Sequence, residues 1–160
     1  WVTHDLGALD VQLFAEMARI LAGGEASVCT MSPECGHVLV AEEDGAIYAC
    51  DHFVDPDHRL GSVRETALDR LAGGEFQRAF GRSKREGLTG ECRACPYLRF
   101  CSGGCPKDRF GVAAGGVAGQ YWLCAGLKAF FAHAVPRLEK VMALSAAGKK
   151  PPEIMEEMTP

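Results

Sequence analysis

The sequence predicts an α+β fold, a small cysteine-rich module with one β-hairpin and several helices around two metal-cluster sites. Three observations carry that expectation. Four cysteines crowd into CRACPYLRFCSGGCP, from Cys92 to Pro106; the stretch from His37 to Asp51 turns back on itself; and apolar residues recur at helical spacing near both ends of the chain. With 160 residues, 48% of them apolar, there is material for one core of ordinary size.

In chain order, Val11, Phe14, Met17 and Leu21, flanked by Leu13 and Ile20, form a helical stripe from Asp10 that stops at Gly23-Gly24. Cys29 and Cys35 follow in a loop with Pro33 and Gly36. Val38 to Ala41 and Ala46 to Cys50 read as the two arms of a hairpin around Glu42-Glu43-Asp44-Gly45, which returns Cys50 beside Cys35. Ser62-x-x-Glu65 has the form of a capping box, so a helix is expected from Ser62 until Gly73-Gly74. A short amphipathic piece, Phe76 to Phe80, then runs into the polar GRSKREG stretch. After Cys105 comes a glycine- and alanine-rich connection through Gly119. The longest helix is expected over Tyr121 to Val135, broken or restarted by Pro136 and continued by Arg137 to Leu144. Pro152 is placed to open a last helix, Glu153 to Met158.

The cysteine run is spaced Cys-x2-Cys-x5-Cys-x3-Cys-Pro, close to the ferredoxin run in which three thiolates hold one iron-sulfur cluster and the cysteine before proline reaches a second. Gly103 and Gly104 suit it, because a loop that reverses within three residues needs positive φ. The chain has eight cysteines, the number that two fully ligated cubanes require. The crossing-over rule groups Cys29, Cys35, Cys50 and Cys105 at a first cluster and Cys92, Cys95, Cys101 and Cys124 at a second. Full ligation leaves no iron open to substrate, which favours electron transfer. Two structural zinc sites with the same grouping satisfy the same arithmetic, and an aerobic preparation can hold zinc or leave the sites empty.

Net charge is −4 with acids and bases interspersed, which gives no basic stripe for nucleic acid. No apolar run suits a membrane span and no signal-like start is present, so eight thiols are expected in a reducing cytoplasm rather than as disulfides. A first residue Trp1 in place of Met suggests a piece of something longer.

Cys35-x9-Gly45-x4-Cys50, followed by the Cys92–Cys105 run and Cys124, resembles the seven-cysteine signature of the SPASM domain, the C-terminal auxiliary-cluster module of many radical SAM enzymes. The words GAIYACDHFV, RLGSV, FCSGGCPKDRF and YWLCAGLKAFFAH resemble anaerobic sulfatase-maturating enzymes, which also carry a cysteine where Cys29 stands. That resemblance implies oxidation of a sulfatase cysteine or serine to formylglycine, with two 4Fe-4S clusters here and S-adenosylmethionine at a third cluster in an N-terminal barrel. Implied partners are a sulfatase polypeptide, that barrel, and an electron donor such as flavodoxin or ferredoxin. The barrel's Cys-x3-Cys-x2-Cys motif is absent from this chain, so the fragment alone is expected to be inactive. The implied organisation is residues 1–26 leading in from the barrel, 27–135 as SPASM domain and 136–160 as helical tail. A radical SAM peptide maturase that forms thioether or other crosslinks shares the seven-cysteine pattern and is the alternative.

The resemblance also gives Asp51 the role of the base that takes a proton from substrate, with a pKa raised by nearby thiolates; otherwise it caps the hairpin end. His52 is expected to pack or to donate to a cluster sulfur. Tyr97 and Arg99 are candidates for shielding or hydrogen-bonding a cluster, Lys107, Asp108 and Arg109 for a solvated or salt-bridged face, and His133 for a satisfied structural histidine.

Overall fold

A computed structural model of the chain describes residues 1–113 and 115–159. The chain divides into two compact units, one formed by Trp1–Val28 and the segment from Leu123 onward, the other by Cys29–Trp122. It is α+β, as expected.

In the first unit, helix α1 (Gln12–Leu21) packs on the long helix α6 (Cys124–Ala146), which also meets α7 (Pro151–Met158). The α1 stripe predicted from the sequence buries Met17 and stacks Phe14 on Phe130 at 6.1 Å. Glu16, only 3% exposed, accepts from the Ser27 backbone N–H at 2.6 Å and from the Ser27 hydroxyl at 2.5 Å, tying the end of this segment back to α1. These bonds, the hydroxyl's first, hold the Glu16 carboxyl below its ordinary pKa.

Pro136 does not interrupt α6, contrary to expectation. Its missing N–H costs one helical hydrogen bond, but Phe131, Ala134, Val135, Leu138 and Val141 are buried on one face on both sides of it, and that burial keeps the helix continuous. The Arg137 guanidinium donates to the His133 carbonyl at 2.9 Å in the same turn. The His133 side chain is exposed. Pro151 and Pro152 open α7, one position earlier than predicted, and the Glu153 carboxylate accepts from the Lys150 N–H at 2.7 Å.

In the second unit, strands β1 (Val40–Ala41) and β2 (Ala46–Tyr48) form the predicted hairpin in shortened form. Its turn is closed by a Gly45 N–H donating to the Glu42 carbonyl and by Asp44 accepting from the Ala46 N–H at 2.8 Å, with Gly45 at φ +85°. The sequence missed a third strand. β3 (Arg59–Ser62) pairs antiparallel with β2, placing Ser62 opposite Ala46. Ser62 therefore caps no helix: its hydroxyl accepts from the Arg64 N–H in a turn, and the helix that follows, α2, is only Leu68–Ala72. Pairing with the buried residues of β2 outweighs the local capping signal.

The short amphipathic piece and the polar stretch after it are one helix, α3 (Glu75–Glu86). Two single-turn helices, α4 (Gly90–Arg93) and α5 (Leu98–Cys101), carry Cys92 and Cys101 of the cysteine run, with Cys95 in the turn between them. The glycine-rich connection, in which Ala114 lies outside the described residues, contains a second hairpin, β4 (Gly111–Val112) and β5 (Ala118–Gln120).

Candidate metal centre

Helix α3 organises the site. Its buried face carries Gln77, Phe80, Gly81 and Lys84, at helical spacing. The Gln77 side-chain amide donates to the carbonyls of Gly36 at 3.0 Å and Ala49 at 2.9 Å, each adjacent in sequence to a cysteine, Cys35 and Cys50. One turn on, Gly81 lets the chain at Cys35 come close: the Cys35 N–H donates to the Gly81 carbonyl, and a Cβ at Gly81 would stand 2.7 Å from the Cys35 carbonyl oxygen. Lys84 is completely buried, and its ammonium donates to the carbonyls of Cys29 at 2.6 Å and Thr30 at 3.2 Å. One helix face thus holds the backbone around Cys29, Cys35 and Cys50.

Cys29, Cys35, Cys50 and Cys105, the four thiols grouped from the sequence, line a single cavity with Asp51 and His52 on its wall. Burial pushes the Cys50 thiol up to about 11 and raises the Cys35 and Cys105 thiols as well. In the free chain these thiols are protonated at neutral pH, so occupancy must expel their protons.

The second set is built by the cysteine loop. The Thr89 hydroxyl accepts from the Cys92 N–H and starts α4, and the Gly103 N–H points at Cys101 Sγ across 3.2 Å. Ser102, Gly103 and Gly104 take φ of 46°, 73° and 63°, the left-handed reversal that the two glycines were expected to supply. Space demands glycine there too, since a Cβ on Gly104 would meet the Tyr121 ring at 2.6 Å. Cys92 and Cys95 both act electrostatically on the Cys101 thiol, whose pKa burial raises first. Cys124 is the first residue of α6. Among the described residues no three Cys, His, Asp or Glu side chains converge tightly enough for a single metal ion. The four thiols of the first set surround a space rather than a point, and an all-thiolate donor set around such a space fits an iron-sulfur cluster.

Asp51 is exposed, and its carboxylate accepts from the Cys50 thiol at 3.2 Å. That bond, first among its influences, lowers the carboxyl pKa, where the sequence reading expected a rise. The reason is protonation: in the free chain Cys50 is a neutral donor rather than an anion. His52 Nδ1 lies 3.3 Å from Cys105 Sγ, so it contacts a sulfur of the first thiol set rather than only packing. Arg99 stacks over Phe100 at 4.5 Å.

Arg109 is not on a solvated face. Its guanidinium donates to the carbonyls of Gly103 at 2.9 Å, Lys84 at 2.7 Å and Ser102 at 3.2 Å. The neighbouring Lys107 lies over the Phe53 ring at 4.9 Å. The sequence reading missed Gln77, Gly81 and Lys84, and it took Arg109 for part of a solvated or salt-bridged face. The available signal was the spacing of 77, 80, 81 and 84, which places two polar residues and a glycine beside Phe80 on one helix face.

Among protein-family models, SPASM, described as an iron-sulfur cluster-binding domain, matches residues 14–96, just over half of the chain. The serine-type anaerobic sulfatase-maturating enzyme of Bacteroides thetaiotaomicron is 35% identical over 158 residues, which are 99% of this chain and 38% of that protein. The cysteine-type enzyme of Clostridium perfringens is 29% identical over 133 residues, 83% of this chain and 35% of that one. A solved structure of native anSMEcpe with bound AdoMet and Kp18Cys peptide superposes with a TM-score of 0.73 at 28% identity, covering 87% of this chain and 39% of that one. The chain thus spans little more than a third of the length of these relatives. The match covers the hairpin and α3, which hold Cys29, Cys35 and Cys50, and continues into the cysteine loop as far as Cys95: the chain belongs to the SPASM family of iron-sulfur cluster-binding domains.

Proposed function

We propose that this chain is the auxiliary-cluster module of a radical SAM sulfatase maturase, in which two 4Fe-4S clusters serve electron transfer beside a bound sulfatase segment. The observation that carries the reading is the cavity lined by Cys29, Cys35, Cys50 and Cys105, with Asp51 at its wall. By ligand count the second cluster takes Cys92, Cys95, Cys101 and Cys124. The relatives' names, serine-type and cysteine-type sulfatase-maturating enzymes, support a sulfatase Ser or Cys as substrate and formylglycine as product. The AdoMet and peptide bound in the solved relative support cofactor and substrate sites in the complete protein. A small electron-transfer protein such as flavodoxin or ferredoxin would exchange electrons with it.

When bound, the clusters supply one-electron acceptors. The chain's own contribution to turnover is at Asp51. Its carboxylate is exposed and ionised at neutral pH, so it is free to accept the proton that the substrate thiol or hydroxyl must lose on becoming an aldehyde. Its hydrogen-bond partner Cys50 becomes a thiolate on ligation and can no longer donate, which leaves the carboxylate available to substrate.

In the complete protein, Asp51→Asn is expected to keep its iron and its S-adenosylmethionine cleavage while formylglycine formation falls about a hundredfold or more, the scale of a general base. Mass spectrometry of a sulfatase peptide reads the product. Loss of iron would make Asp51 structural, and normal turnover would move proton removal to another residue.

A further inference from the structure

Two cations lie in the second unit's interior that neither the fold nor the proposed reaction accounts for. Lys84 is fully buried and Arg109 half-buried. Burying charge is unfavourable without compensation, and among the described residues no carboxylate pairs with either of them: their hydrogen bonds go to backbone carbonyls. Those carbonyls are not arbitrary. Lys84 Nζ holds the carbonyls of Cys29 and Thr30, at the start of the first thiol set. The Lys84 carbonyl receives the Arg109 guanidinium, which also holds the carbonyls of Ser102 and Gly103. Those two residues lie between Cys101, of the second set, and Cys105, of the first, and the Gly103 N–H contacts Cys101 Sγ. One continuous chain of contacts runs from Cys29 through Lys84 and Arg109 to Cys101.

The Arg109 guanidinium holds the carbonyls of Ser102 and Gly103, on the four-residue step from Cys101 of the second set to Cys105 of the first, and that of Lys84, which holds Cys29; its charge is therefore anchored to backbone shared by the two sets. A guanidinium does not deprotonate in a protein, so that charge is permanent. Packing fixes its position: a Cβ on Gly103 would stand 2.8 Å from an Arg109 terminal nitrogen.

We infer that Arg109, braced by Lys84, is a shared counter-charge for both clusters: it offsets the negative charge of the ligating thiolates and so raises the reduction potential of each. The inference rests on the two-cluster reading above. Adding an electron to a cluster surrounded by anionic ligands is opposed by their charge, and a fixed cation in a low-dielectric interior relieves that opposition. A single residue anchored to backbone shared by the sets acts on both clusters in the same direction. Arg109 is on this account a positioning and tuning residue that touches no substrate.

The test compares Arg109→Gln and Arg109→Lys in the complete protein, purified anaerobically, using iron content and EPR-monitored redox titration. R109Q keeps most of the side chain's length but loses the charge, and its auxiliary clusters should both become harder to reduce, by about tenfold in the reduction equilibrium, or about 59 mV for one electron. R109K keeps the charge with fewer of the hydrogen bonds, and should stay within about threefold of wild type, about half that shift. If R109Q sheds iron while R109K retains it, the requirement for charge holds. If both shed iron, if both shift alike, or if R109Q titrates like wild type, the guanidinium is only a loop clamp and the inference fails. Failure of the two-cluster reading would appear separately, as a wild-type protein whose iron does not account for two auxiliary clusters.

Discussion

At Gly81 the usual preference of helices is reversed. A glycine inside a helix normally gains about 1 kcal/mol on replacement by alanine. Here the added Cβ would stand 2.7 Å from the Cys35 carbonyl oxygen, a backbone atom that moves only if the Cys35 loop moves. Gly81→Ala should therefore destabilise by about 1–3 kcal/mol, the cost of overpacking, and should reduce iron at the first thiol set. Urea unfolding and iron analysis together check this, and a stabilised variant with full iron would refute it. Glu16 gives a prediction in pH. Its folded pKa lies below the ordinary value of 4.5, so its contribution is complete above 4.5 and is lost as pH falls through the folded value. Glu16→Gln should lower stability at neutral pH, and the gap to wild type should close on acidification below 4.5, read from denaturation midpoints at successive pH values. The residues behind both predictions show where sequence reading reaches its limit. The cysteines were legible because their spacing is itself the chemistry, and the four of the first group line one cavity. Lys84 was not legible, because a lysine within Arg82-Ser83-Lys84-Arg85-Glu86 looks solvated until the carbonyls of a loop more than fifty residues away come to cover it.

Among the elements, the hairpin from Val40 to Tyr48 was readable because Asp44-Gly45 encodes its turn locally. Strand β3 was not, because its partner β2 lies across an intervening turn and Ser62-x-x-Glu65 presents a competing local signal. Helix α6 fails the local rule in the opposite sense, since a proline predicted to break it is carried through by burial on both sides. Pro136 is exposed, so its ring is not needed in the core. Pro136→Ala should restore an N–H to the ladder and raise stability by about 1–3 kcal/mol, seen as a higher melting temperature. A lower one would mean that the backbone geometry proline imposes is required for the contacts of α6 with α1 and α7.

For the molecule as a whole, the division of labour follows composition. The first unit rests on helix packing of Met17, Phe131, Leu138 and Ile154, and on the Glu16–Ser27 tie. The second gathers seven of the eight cysteines, and much of its polar bonding serves to place them: Gln77 at Gly36 and Ala49, Lys84 at Cys29, Ser102 at Met31, Arg109 at Gly103. Small metal-bound folds commonly depend on the metal for part of their stability, and a unit arranged around thiols whose pKa values burial raises fits that pattern. The central claim is that these eight cysteines hold two fully ligated iron-sulfur clusters. The most direct measurement is iron and acid-labile sulfide in anaerobically purified protein, compared with a variant in which Cys50 and Cys95 are both serine. The account predicts that about eight irons and eight sulfides per chain belong to these cysteines and that the double variant loses iron from both clusters. A colourless protein with about two zinc ions, or a loss confined to a single cluster, would contradict it.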